Sequence, residues 1–215
     1  MHRSGSSLVT KSLECLGVSL GDRADWTAPD NPTGFFEDLD ILAINEAVLK
    51  RCGSAWDQPL DLGRAVFVSD LEVVAKRTLA DKLERFPLFG IKDPRLCRLL
   101  PFWLPIINRI GCDVGVVQVF RTPFAIADSL VKRNGRDRSY WLKLEQEHYR
   151  CAGLAIPKKD GFPIWPVASV SYESMCGLHP DIEVRHIAKE LGLTVDQEKL
   201  AQFCSEFVRK PNAIA

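Results

Sequence analysis

Gly115-Val116-Val117-Gln118-Val119-Phe120-Arg121-Thr122-Pro123 is the stretch that decides the fold. Residues 115–120 form an almost continuous apolar, β-branched run, which suits a parallel strand buried on both faces. Arg121 ends it. Pro123 then opens a helix to about Asn134, because proline is favoured at the first helical position, where its missing N–H is not needed. Gly135 stops that helix. A strand feeding a helix in this way is the repeating unit of parallel α/β sheets. Upstream, the apolar run 88–91 reads as another strand, closed by Lys92-Asp93-Pro94-Arg95. An amphipathic helix over 70–86 precedes it. A helix over 96–110 follows it, with a break or kink expected at Pro101 and Pro105. Downstream, residues 139–154 read as a helix and Ala168-Ser169-Val170-Ser171 as a third strand. Helices over 180–191 and 197–208 complete that half. At the other end, residues 7–16 read as a helix capped by Gly17, and residues 28–34 as a turn-rich loop. Residues 39–52 read as a helix with Asp38 as N-cap.

This alternation predicts one α/β domain over residues 1–215, with a central parallel sheet between helical layers, a three-layer α/β/α architecture. The 215 residues suffice for about one domain. Lys plus Arg is 28 and Asp plus Glu is 28, so the formal net charge is zero. That balance argues against non-specific binding to nucleic acid or anionic membranes. The most apolar window, 99–107, is short and holds two prolines, so no membrane span is expected. The first seven residues carry no hydrophobic signal core. Seven scattered cysteines, an odd number with no CxxC, suit reduced thiols in a cytoplasmic compartment better than a disulfide framework or a zinc site. Nothing in the sequence speaks to the oligomeric state.

In open α/β sheets, ligands bind at the carboxyl ends of the strands, so the residues that follow each strand carry the chemistry. His2-Arg3-Ser4-Gly5-Ser6-Ser7 runs straight into a helix. Gly5 lets backbone amides approach an anion, the serine hydroxyls add donors, and Arg3 adds a full charge. This reads as a loop that cradles a phosphate or sulfate. The alternative is a frayed N-terminal tail. It is not a Walker A loop, which needs GK[ST]. Arg121, at a strand end, and Ser129, two turns into the next helix, can face one anion together. The alternative for Arg121 is a surface ion pair. Lys92-Asp93-Pro94-Arg95 and Val170-Ser171-Tyr172-Glu173 are weak signals singly.

Taken in order, these segments resemble the sulfotransferase superfamily, specifically its bacterial sulfotransferase-like branch. His2-Arg3-Ser4-Gly5-Ser6-Ser7 is similar to the family's 5′-phosphosulfate loop, MHRSGTS or PKSGTT, with Arg3 where cytosolic members carry a lysine. Arg121-Thr122-Pro123 followed by Ser129 resembles the 3′-phosphate motif RxPxxxxxS, with the same spacing. Val170-Ser171-Tyr172-Glu173 resembles the later V-x-YE segment, whose tyrosine lies near adenine. Asn31-Pro32-Thr33-Gly34-Phe35-Phe36-Glu37 and Gly90-Ile91-Lys92-Asp93-Pro94-Arg95-Leu96 are similar to segments of the bacterial branch. The resemblance implies a P-loop NTPase-like fold. It also implies transfer of a sulfuryl group from 3′-phosphoadenosine 5′-phosphosulfate (PAPS) to a hydroxyl or amine, leaving adenosine 3′,5′-bisphosphate, with no metal required. The implied cofactor-binding residues are Arg3, Ser4, Gly5, Ser6, Ser7, Arg121, Ser129 and Tyr172.

The resemblance also assigns catalysis. Arg3 and Lys92 are the candidate cations at the leaving oxygen, Lys92 matching the family lysine after a strand. The histidine that cytosolic members carry in a KTH pattern is replaced here by Asp93-Pro94. Glu37 is the first candidate base, Asp93 the second and His148 the third. The acceptor is a small molecule, a carbohydrate or a lipid. Arg3, Lys92, Arg95 and Arg121 are expected to form a local positive cleft in a neutral protein. Family members have an apolar strand leading into the loop, whereas here Met1 begins the loop. The expectation is a sheet whose first strand is cut away, encoded upstream. Two other readings remain open: a small-molecule kinase on a P-loop-type domain, and a non-catalytic nucleotide-binding relative.

Overall fold

The computed structural model describes residues 1–24, 26–27, 31, 34–60 and 69–206. Most of the turn-rich loop 28–34 and the end of the last expected helix lie outside them. The chain is an α/β protein. In order, its elements are α1 (Ser6–Ser12), a 3₁₀ turn (Leu13–Leu16), α2 (Leu39–Arg51), α3 (Ser69–Arg85), α4 (Leu96–Ile110) and β1 (Val116–Phe120). There follow α5 (Pro123–Asn134), α6 (Arg138–Ala155), β2 (Lys158–Lys159), β3 (Phe162–Pro163), β4 (Val167–Ser171), α7 (Tyr172–Met175), α8 (Pro180–Leu191) and α9 (Gln197–Glu206).

β1 and β4 pair in parallel, with Val116 opposite Val167 and Phe120 opposite Ser171. Both strands therefore end at the same edge, and Arg121 and Tyr172 emerge side by side. Val117 and Val119 pack against a core of Val9, Ala168, Val170, Val184, Ile187, Leu200 and Phe203, drawn from α1, β4, α8 and α9. A second core joins α2, α3 and α4 through Val48, Leu49, Leu79, Leu99, Phe102, Trp103 and Ile106. A third, around Leu130, Trp141 and Leu144, seals α5 to α6.

The structure corrects the expectations in three places. The 88–91 run forms a single parallel bridge between Phe89 and Ser19 instead of a strand. Ser19 N–H donates to Leu88 O at 2.8 Å and Gly90 N–H to Ser19 O at 2.7 Å. Backbone spacing is tight there, since a Cβ on Gly90 would sit 2.7 Å from Val18 Cγ1. α4 runs unbroken through Pro101 and Pro105. Each proline lacks one helical donor, but Leu99, Phe102, Trp103 and Ile106 on the same helix are buried, and packing outweighs local propensity. The first helix shortens to α1 and tightens to 3₁₀ over Leu13–Leu16, ending at Gly17 with φ 76°. Asp38 does cap α2, its Oδ1 accepting from Asp40 N–H at 3.0 Å and Ile41 N–H at 3.3 Å. Among the described residues no helix is long and apolar enough to cross a membrane. None of the seven cysteines is in a disulfide.

Candidate functional site

The loop before α1 is where the strand ends converge. Arg121 leaves β1 and donates from a terminal guanidinium nitrogen to Arg3 O at 2.8 Å. Tyr172 leaves β4 and lies under Arg121, whose guanidinium carbon sits 4.4 Å from the ring centroid, a cation–π contact. The same ring packs on Gly5. A Cβ there would fall 1.9 Å from Tyr172 Cδ2, and Gly5 has φ 85°, so only glycine fits. Arg3, itself at φ 66°, donates from Nε to Ser129 Oγ on α5 at 2.8 Å. Arg3, Arg121, Ser129 and Tyr172 thus form one cluster at the β1–β4 edge. Among the described residues neither arginine meets a carboxylate, and Arg121 Nε is buried with no hydrogen-bond partner.

Glu173 locks that edge. Its Oε1 accepts from Thr122 N–H and Thr122 Oγ1, each at 3.0 Å, and its Oε2 accepts from Ser171 Oγ at 3.0 Å. Burial pushes this carboxyl up, but the hydrogen bonds outweigh it and hold the pKa below the usual carboxylate value.

The far end of the loop holds Lys92, Glu37 and Ser7. Lys92 Nζ donates to Glu37 Oε1 at 2.6 Å, Phe35 O at 2.8 Å and Ser7 Oγ at 3.3 Å. Glu37 is 2% exposed. Burial pushes its carboxyl above the usual value, Lys92 pulls it back, and Asp93 pushes it up again. A carboxylate raised in this way is a better proton acceptor than an ordinary one. Ser4 is buried and Ser6 starts α1.

Asp93 and Arg95 do not join the loop residues. Asp93 Oδ2 accepts from Asn45 Nδ2 at 2.8 Å, and its Oδ1 from Arg95 N–H at 2.8 Å and from the Arg95 guanidinium at 3.0 Å. Asn45 Oδ1 in turn accepts from Trp103 Nε1 at 2.8 Å. This buried network, in which Arg95 Nε has no hydrogen-bond partner among the described residues, fixes the start of α4 to α2. Arg95 is 7% exposed and lies 3.6 Å from Glu37 Oε2 and 3.3 Å from Glu46 Oε1. It is therefore matched by acids, and the expected cleft of four cations is not formed by Arg95. His148 is buried in α6 with Nδ1 2.8 Å from Leu144 O, and burial drives its pKa well down. His2 is driven down too, by burial first and then by Arg95, the N-terminal amine, Lys92 and Arg133. Its ring meets Trp56 edge-on at 4.7 Å.

Two supports carried no signal in the sequence. Lys82 of α3, its side chain 5% exposed, binds Asp22 at 2.9 Å, Asp38 at 2.7 Å and Asp40 at 2.9 Å. Burial works against its charge, yet the three carboxylates win and raise its pKa. Since Asp38 also caps α2, this node anchors the residue next to Glu37. Trp26 Nε1 donates to Glu37 O at 2.8 Å, anchoring Glu37 itself. Among the described residues no group of three or more His, Cys, Asp or Glu is arranged to hold a metal ion.

Fold and site together define an α/β protein with a basic loop at the carboxyl edge of a parallel strand pair. Comparison with known protein families, with curated proteins and with solved structures found no match.

Proposed function

We propose that this chain is a PAPS-dependent sulfotransferase of the bacterial sulfotransferase-like kind, built on a P-loop-type three-layer α/β/α fold. One observation carries the reading: two arginines that meet no carboxylate among the described residues, Arg3 and Arg121, converge with Ser129 at one end of a loop whose other end holds Lys92 and Glu37. A ligand with anions at two separated points needs cationic groups at two ends, and this loop has them. The donor supplies an activated sulfuryl group between the two ends.

The residues divide the work. Arg121, Arg3 and Ser129 grip the 3′-phosphate, the Arg121 Nε being a donor without a hydrogen-bond partner among the described residues. Tyr172, fixed between Gly5 and Arg121, sets the position of the loop beside the adenine. Ser4, Gly5, Ser6 and Ser7 line the 5′ side of the loop. Lys92 stands where charge gathers on the leaving oxygen, while Arg3, bonded to Ser129 at the other end, belongs to the grip. Glu37 takes the proton from the acceptor hydroxyl or amine.

Thermal unfolding tests the reading. Adenosine 3′,5′-bisphosphate at about 100 Kd should add roughly 2.7 kcal/mol of stability. ATP with Mg²⁺ should add much less. The reverse preference would point to a kinase.

A further inference from the structure

Trp26 and Phe35 stack face to face, with ring centroids 4.0 Å apart and planes 12° from parallel. Both are half-buried, and neither belongs to the apolar clusters of the described residues. Three hydrogen bonds tie the pair to the Lys92–Glu37 end of the loop, and a fourth joins its two members. Trp26 Nε1 donates to Glu37 O at 2.8 Å and Phe35 N–H to Trp26 O at 3.1 Å. Phe35 O accepts from Lys92 Nζ at 2.8 Å and Ser7 Oγ at 3.4 Å. The backbone around them is strained. Phe36 has φ 56° and Gly34 φ 102°, and left-handed backbone at a bulky residue persists only where surrounding structure enforces it. The consequence is a split: Phe36 turns into a core with Leu20 and Ala24, while Phe35 stays outside and stacks on Trp26.

The aromatic pair is thus kept out of the described core clusters and bonded to the backbone of the proposed base. We infer that Trp26 and Phe35 form the wall on which the acceptor lies, and that the acceptor is a ring-borne hydroxyl, a phenol or a pyranose. This rests on the sulfotransferase reading and narrows its acceptor. Rigid rings with an apolar face gain from stacking, whereas a flexible chain alcohol covers less of the wall and loses more conformational freedom. In the step that follows, the acceptor oxygen forms its bond to sulfur. The sulfur–oxygen bond to the 5′-phosphate breaks, its electron pair staying on that phosphate oxygen beside Lys92. The acceptor proton passes to Glu37. No oxidant or reductant is needed.

Calorimetric titration tests the wall without relying on turnover. The protein saturated with adenosine 3′,5′-bisphosphate is titrated with 2-naphthol, methyl β-D-glucopyranoside and 1-hexanol. One ring compound should bind at least about tenfold more tightly than 1-hexanol, and which one does so separates arene from sugar. Trp26→Ala and Phe35→Ala should each weaken that ring compound at least about fivefold while leaving bisphosphate affinity within about twofold. Trp26→Phe, which retains a ring face and loses the indole N–H, should stay within about threefold and serves if Trp26→Ala does not fold. Equal binding of 1-hexanol, no binding of either ring compound, or ring affinity indifferent to both alanine changes would overturn the wall. If the bisphosphate itself does not bind, the sulfotransferase reading fails. The same titrations on the protein alone then judge the wall, which stands if ring binding depends on Trp26 and falls otherwise.

Discussion

The two ends of the loop hold charge in opposite ways. At Lys92 the cation is buried and already answered: Glu37 lies 2.6 Å away, and Arg95 beside them is matched by Asp93 and Glu46. At Arg121 and Arg3 the cations sit at a half-open strand edge and, among the described residues, bond to a carbonyl, a hydroxyl and an aromatic face and to no acid. A buried, paired charge is held in place to act on protons. Charges without an acid partner attract an anion. In the proposed function the difference separates a reaction end from a binding end, and each end should fail differently when broken.

The largest effect is expected from Lys92→Met. Removing one member of a buried ion pair leaves the other uncompensated, at a cost of about 3–5 kcal/mol. Because the folded Glu37 carboxyl already sits above its unfolded pKa, its ionised form costs stability. That cost appears as pH rises through the ordinary carboxylate range and is complete above the folded value. Without Lys92 the folded value climbs further, so the deficit against wild type should be wider at pH 8 than at pH 5. Urea melts at the two pH values measure it, and equal deficits would show that Glu37 is not strained by burial.

Glu37→Gln comes next. Loss of a general base should slow transfer from labelled PAPS about 10²-fold or more. Bisphosphate affinity should change little, because the grip lies at the other end. A mutant that turns over normally would remove Glu37 from the chemistry.

Ser129→Ala should be mildest. It removes one hydroxyl that receives Arg3 and could face a phosphate, worth about 1 kcal/mol, or roughly fivefold in bisphosphate affinity. An effect on turnover without an effect on affinity would mean that Ser129 belongs to the reaction end.

Much of this was legible in the chain because it is local. Pro123 and Gly135 bracket α5 as expected, Asp38 caps α2, and Val116–Phe120 within the run 115–120 pairs in parallel with Val167–Ser171. What was not legible is non-local or a contest between local and tertiary forces. Pro101 and Pro105 signal a break or kink, yet α4 is continuous across both, with four buried side chains packing it. The run 88–91 has strand composition but makes one bridge, because strand formation depends on a neighbour that composition does not show. The β2–β3 hairpin was missed although Asp160-Gly161 signals one. Both residues have positive φ, as a type I′ turn requires. In the site, Arg121 was visible as a strand-end cation and Lys92 as the cation that closes the 88–91 run. The burial of Arg95 among three acids, the Lys82 node and the Trp26 bond to Glu37 join residues far apart in sequence, and no spacing rule reports them.

The central claim is that one polyanion spans both ends of the loop, with its 3′-phosphate at Arg121. Calorimetric titration of wild type and Arg121→Ala with adenosine 3′,5′-bisphosphate and with adenosine 5′-monophosphate tests it directly. Wild type should prefer the bisphosphate by at least about tenfold, the worth of a hydrogen bond to a charged group, and Arg121→Ala should erase that preference. Equal affinity for the two nucleotides in wild type, or a preference that survives in Arg121→Ala, would contradict it.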